Sequence, residues 1–99
     1  MVKHIVLFKL KDFDNDGDKF TIMSEIKKSL ESLKVVIPVI RNIEIQFNVN
    51  PAEEFDLILY SEFDNLHDLE IYAKHPEHIK ASKLLVENRV KRACVDYEF

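Results

Sequence analysis

Residues 2–10 alternate with a period of two. Val2, His4, Val6, Phe8 and Leu10 fall on one side; Lys3, Ile5, Leu7 and Lys9 fall on the other. That period belongs to a strand, and this strand carries apolar groups on both faces. Residues 12–18 form a polar loop that holds Gly17, the single glycine. From Phe20 the period changes. Phe20, Met23, Ile26, Leu30, Leu33 and Ile37 recur at intervals of 3, 3, 4, 3 and 4, which is one stripe of a helix. Asp16 or Asp18 is placed to cap its N-terminus, and Pro38 fits the chain leaving it.

Ile43, Ile45 and Phe47 alternate with Asn42, Glu44, Gln46 and Asn48, predicting a second strand with one polar face. Asn50-Pro51 is a turn. Residues 55–63 alternate again, with Phe55, Leu57, Leu59 and Phe63 on one face and Asp56, Ile58, Tyr60 and Glu62 on the other. Asp64-Asn65 offers a cap for a short helix on which Leu66, Leu69 and Tyr72 share a face. Pro76 breaks that helix and suits the first turn of another. There His78, Ala81 and Leu85 lie on one side, and residues 90–99 close the chain as a strand. The order β-α-β-β-α(α)-β is the split βαβ plan: a four-stranded antiparallel sheet with helices on one face, read as one domain over residues 1–99. If His4, Val6 and Phe8 look toward the helices, Ile5, Leu7 and Ile58 look outward. An apolar outer face asks for a partner surface, and a second copy related by two-fold symmetry is the economical one.

Composition narrows the classes. Hydrophobic residues make up 46% and charged residues 32% of 99 positions, a globular balance. The net charge of −4 leaves no basic excess for a phosphate backbone, so no nucleic-acid partner is expected. The apolar run 5–8 is cut off by Lys9, far too short for a membrane span or a signal peptide. The lone Cys94 excludes an intrachain disulfide framework. A cytoplasmic location is expected.

The candidate chemistry rests on few residues. The segment 12–17 imitates the opening of a calcium-binding loop, but Met23 stands where a bidentate Glu is required, and a strand precedes it instead of a helix. It reads as a solvated turn. The stretch Tyr72-Ala-Lys-His75-Pro76-Glu-His78 is more informative. Pro76 places His78 in a first helical turn, where the positive end of the peptide dipoles favours neutral imidazole, the form that acts as a base. Tyr72 faces the core and can donate through its phenol. His4, on the apolar strand face, is a further polar group for the same cleft, and His75 suits a helix cap. The cleft is expected to be lined by Val6, Phe8, Phe20, Met23, Ala81 and Leu85. No two histidines stand at i, i+4 with a Glu between, so no metal site is expected. Cys94 reads as a small hydrophobe, and His67 carries no role.

The opening Val2-Lys3-His4-Ile5-Val6-Leu7-Phe8-Lys9, together with Tyr72-Ala-Lys-His75-Pro76-Glu-His78 at its distance, resembles the stress-responsive A/B barrel domain family over nearly the whole chain. The resemblance implies a ferredoxin-like α+β domain that dimerises through its sheets into an α/β barrel. It implies no cofactor. One plant member cyclises a linear polyketide, and its catalytic Tyr and His match Tyr72 and His78, with its strand histidine at His4. The function so implied is binding of a small, largely apolar carbonyl compound, with cofactor-free acid/base chemistry of the polyketide-cyclase type. A non-catalytic stress-related structural or interaction protein is the alternative, and a cofactor-independent monooxygenase a further one.

Overall fold

The computed structural model describes residues 1–99. Strand β1 (Val2–Leu10) leads to helix α1 (Asp16–Glu31), which tightens into a 3-10 turn at Ser32–Val35. Strands β2 (Asn42–Phe47) and β3 (Leu57–Phe63) follow. Three short helices come next: α2 (Leu66–Lys74), α3 (Pro76–Ala81) and α4 (Lys83–Asn88). Strand β4 (Arg89–Glu98) ends the chain. The sheet is wholly antiparallel, in the order β2-β3-β1-β4. This is the expected α+β plan, with β1 at the centre between β3 and β4. No helix is long and apolar enough to cross a membrane.

The alternation of β1 becomes two surfaces. Val2, Val6, Phe8 and Leu10 are buried under the helices, in a core of 18 buried apolar residues. Ile5 and Leu7 face the other way. Ile5 stands opposite Tyr60 and Val95, and Leu7 opposite Ile58 and Ala93, so one apolar patch crosses three strands. Val95 is 63% exposed there. Nothing in the chain covers this face.

Local chemistry sets the element ends. Asn15, not Asp16 or Asp18, caps α1: its Oδ1 accepts the Asp18 N–H at 2.8 Å. The two acids lie instead in the first turn, where the helix dipole favours negative charge. Asn65 caps α2 in the same way through the Asp68 N–H. The helical stripe ends sooner than its period suggests. α1 stops at Glu31, the chain turns through Val36, and Ile37 is nevertheless fully buried. Pro38 disfavours helical backbone just before it, which suits that early exit. Ser82 interrupts the helix expected after Pro76; its N–H reaches both the His78 and the Lys80 carbonyls.

Asp56 ties the far end of the sheet to α1. Its N–H donates to the Phe8 carbonyl, its Oδ2 accepts the Leu10 N–H at 2.7 Å, and Lys19 Nζ stands 2.7 Å from its Oδ1. Residues 12–17, the imitation of a calcium loop, follow β1, and α1 begins inside them at Asp16. The frame of a helix-loop-helix cation site is therefore missing.

Candidate functional site

The helical layer does not cover the whole sheet. Beyond β1, the edge strand β4 is exposed along nearly its full length, and between it and α2–α4 lies a cavity of about 520 Å³. That volume suits a small-molecule ligand. His4, Tyr72 and His78 all line it, and so do Val6, Phe8 and Leu85.

Phe20, Met23 and Ala81 do not. Phe20 sits at the start of α1 on the β2 side, 62% exposed, with its ring edge-on to Phe47 at 6.0 Å. Met23 is spent in the core under α1, and Ala81 packs against that core beside the cavity. Membership of a helical stripe does not say which end of the stripe overhangs the site.

Tyr72 is the centre of the arrangement. It is 1% exposed, its ring lies 5.0 Å from that of Phe63 and 4.3 Å from that of His78, and His4 stands edge-on at 6.5 Å. Its hydroxyl is buried and has no hydrogen-bond partner. A buried hydroxyl without a partner is costly, by about 1–3 kcal/mol, and is therefore rare in a folded chain. Burial alone pushes its pKa well above the ordinary phenol value, so it keeps its proton and is available to donate.

His78 owes its setting to a proline. The His75 Nδ1 accepts the Glu77 N–H at 3.0 Å, Pro76 opens α3, and His78 turns back so that Nδ1 lies 3.1 Å from the Ala73 carbonyl. A carbonyl only accepts, so Nδ1 carries the proton and Nε2 keeps its lone pair. Burial is the first cause that lowers the pKa of His78; the Ala73 bond opposes it, and His4 and His75 add to the lowering. The neutral form expected from the helix start is thus favoured chiefly by desolvation.

His4 is held by residues that spacing alone does not single out. Asp96 stands opposite it on β4, with Oδ1 2.5 Å from His4 Nδ1. Cys94 Sγ lies 3.6 Å from the same nitrogen. Burial, then Asp96, raises the pKa of the Cys94 thiol, which stays protonated. His4, Cys94 and Asp96 place three donor atoms within 4.8 Å of one another. Two ligands on one tetrahedral ion stand about 3.3 Å apart, and the His4–Asp96 contact at 2.5 Å is closer than that. The trio is arranged as a hydrogen-bonded group. Arg89, Arg92 and Asp96 also line the cavity from β4, together with Ser82 from the break between α3 and α4. The available signal for this wall was the terminal alternation, in which Arg92, Cys94 and Asp96 share a side.

Comparison with known proteins places this geometry. The stress responsive A/B barrel domain matches residues 2–99. The chain belongs to that family. Among curated relatives, this A/B barrel chain is 32% identical over 97 residues to the stress-response A/B barrel domain-containing protein DABB1 of Arabidopsis thaliana, covering 98% of this chain and 46% of that protein. It is 34% identical over 83 residues to a second stress-response A/B barrel domain-containing protein of the same plant, covering 84% of this chain and 30% of that protein. It therefore spans less than half the length of either. Among solved structures, a dimeric protein of unknown function and ferredoxin-like fold from Bacteroides fragilis is 53% identical, with a TM-score of 0.92 over 99% of this chain and 95% of that one. A hydroxynitrile lyase from Passiflora edulis shares the architecture at 18% identity and a TM-score of 0.74, covering 97% of this chain and 90% of that one.

Proposed function

We propose that this A/B barrel chain pairs with a second copy through the outer face of its sheet and binds a small, largely apolar carbonyl compound in the cavity. The observation that carries the ligand reading is Tyr72, whose side chain lines the cavity and whose buried hydroxyl has no partner. A ligand oxygen would supply the missing acceptor. The outer patch of Ile5, Leu7, Ile58 and Val95 supports the pairing, as does the dimeric Bacteroides fragilis relative. A single free thiol, Cys94, suits the cytoplasm.

The chemistry that fits is proton transfer beside the carbonyl. His78 Nε2 takes a proton from the carbon next to it, and the electron pair moves onto the carbonyl oxygen. Tyr72 donates its hydrogen bond to that developing oxyanion. The resulting carbanion attacks a second carbonyl of the same molecule, whose oxygen takes the proton from His78 as the new carbon–carbon bond forms, or it takes that proton back itself. His4, fixed by Asp96, orients the ligand.

Nonan-2-one in heavy water tests this reading. Nuclear magnetic resonance follows exchange of the protons beside its ketone. The protein should accelerate that exchange, His78→Ala should abolish the acceleration, and Tyr72→Phe should reduce it by about 10²–10³, the range for loss of one oxyanion donor. Saturable binding with exchange no faster than buffer would overturn the catalytic part and leave a binding protein. No saturable binding would overturn the ligand reading.

A further inference from the structure

The cavity lining has two polar parts of different character. Tyr72, His78 and the His4–Asp96 pair form one. The other is formed by β4, whose register places Arg92 opposite Phe8 and, past an irregularity between Lys9 and Leu10, Arg89 opposite Leu10. Phe8 and Leu10 are buried under the helices, so both arginines stand on the helix side of the sheet, and both line the cavity. Neither arginine takes part in an ion pair. The remaining ionised group in the lining, Asp96, is turned to His4 and Cys94. Arg92 has the protonated Cys94 thiol beside it, and a thiol is a weak acceptor that leaves most of a guanidinium's donors free.

The rest of the lining is largely apolar, with Val6, Phe8, Leu59 and Leu85. Arg92 reaches back to the Cys94 thiol, and Cys94 Sγ lies 3.6 Å from His4 Nδ1, so the two polar parts adjoin along β4. A hydrogen-bond donor, a hydrocarbon wall and two cations define a ligand with matching parts. The planar guanidinium fork matches a carboxylate in two hydrogen bonds at once.

We propose that the cavity takes an oxo acid of medium chain length, its ketone at Tyr72 and His78 and its carboxylate held by Arg92, with Arg89 alongside. This rests on the carbonyl-binding reading above and adds the anionic end. Pairing through the outer face of the sheet leaves both arginines free, because they stand on the opposite face.

Two matched ketones separate the claims. Nonan-2-one and 8-oxononanoate have the same carbon count and the same methyl ketone, and only the second ends in a carboxylate. Isothermal titration at low salt should show 8-oxononanoate binding about tenfold more tightly, a difference of about 1.4 kcal/mol. Arg92→Gln should erase that preference, while Arg92→Lys should keep part of it. Added salt should shrink it. Equal affinity of the two ketones for the unaltered protein would overturn the anionic end and leave the carbonyl site standing. A preference that survives Arg89→Gln combined with Arg92→Gln would overturn it as well. Failure of both ketones to bind would defeat the carbonyl reading itself, and this proposal with it.

Discussion

His4 and Asp96 are separated by 92 residues of sequence and stand directly opposite each other on β1 and β4, with Nδ1 and Oδ1 2.5 Å apart. The contact fixes which ring nitrogen of His4 is engaged and which remains free for the cavity. It also ties the edge strand to the catalytic end of the proposed site.

Asp96→Ala should release the His4 ring. Asp96 is partly exposed, so the cost in stability should stay within about 1 kcal/mol, as for exposed ion pairs. Affinity for nonan-2-one should fall several-fold. Thermal melting and titration on the same preparation check both. An unfolded variant, or unchanged affinity, would contradict this role for Asp96.

Tyr72→Phe should behave unlike most core substitutions. It removes a buried hydroxyl that has no partner and keeps the ring against Phe63 and His78. The protein should become more stable, by up to about 1–3 kcal/mol, because an unsatisfied donor is gone. Urea unfolding measures this. A clear loss of stability would mean that the hydroxyl is satisfied in solution.

His78 sets a pH dependence of defined sign. Its folded-state pKa lies below the ordinary imidazole value of 6.5. As pH falls through 6.5 the unfolded chain takes up the proton first, so stability declines until the folded-state pKa is passed and is flat below it. Stability contributed by neutral His78 is complete above 6.5. The variant His78→Gln should lose this part of the slope in melting temperature as pH falls through 6.5. Proton exchange catalysed by His78 should stay level from neutral pH down through 6.5 and fall only below it.

Leu7→Lys should separate the pair of copies. Leu7 lies in the middle of the outer patch, beside Ile58 and Ala93, and two-fold symmetry introduces the charge twice. Sedimentation at micromolar concentration should give twice the chain mass for the unaltered protein and the chain mass for the variant. A monomer before substitution would refute the pairing.

Much of this architecture is legible in residue spacing. The period of two in residues 2–10, apolar on both sides, indicates a strand with a covered and an uncovered apolar face. Pro76 behind His75 indicates a capped helix start, and the His75 Nδ1 does cap it. Other features depend on distance in space. Arg92, Cys94 and Asp96 look like a solvated strand face until the register against β1 sets Asp96 on His4. Phe20 belongs to the helical stripe by period, yet α1 carries it to the β2 side and into solvent. Ser82 interrupts a helix with neither proline nor glycine to announce it.

The β1–β4 ladder has a further meaning for how the chain reaches its final form. It joins residues 2–10 to residues 89–98, the pairing with the widest sequence separation in the sheet. Closing so long a loop carries a greater entropic penalty than closing the neighbouring β2–β3 hairpin, and pairings of this kind slow folding. The wall that carries Asp96 and both arginines is made by that ladder. A chain in which only β1, α1, β2 and β3 have assembled has most of its sheet and no enclosed site; the cavity exists only once β4 has returned to the strand where the chain began.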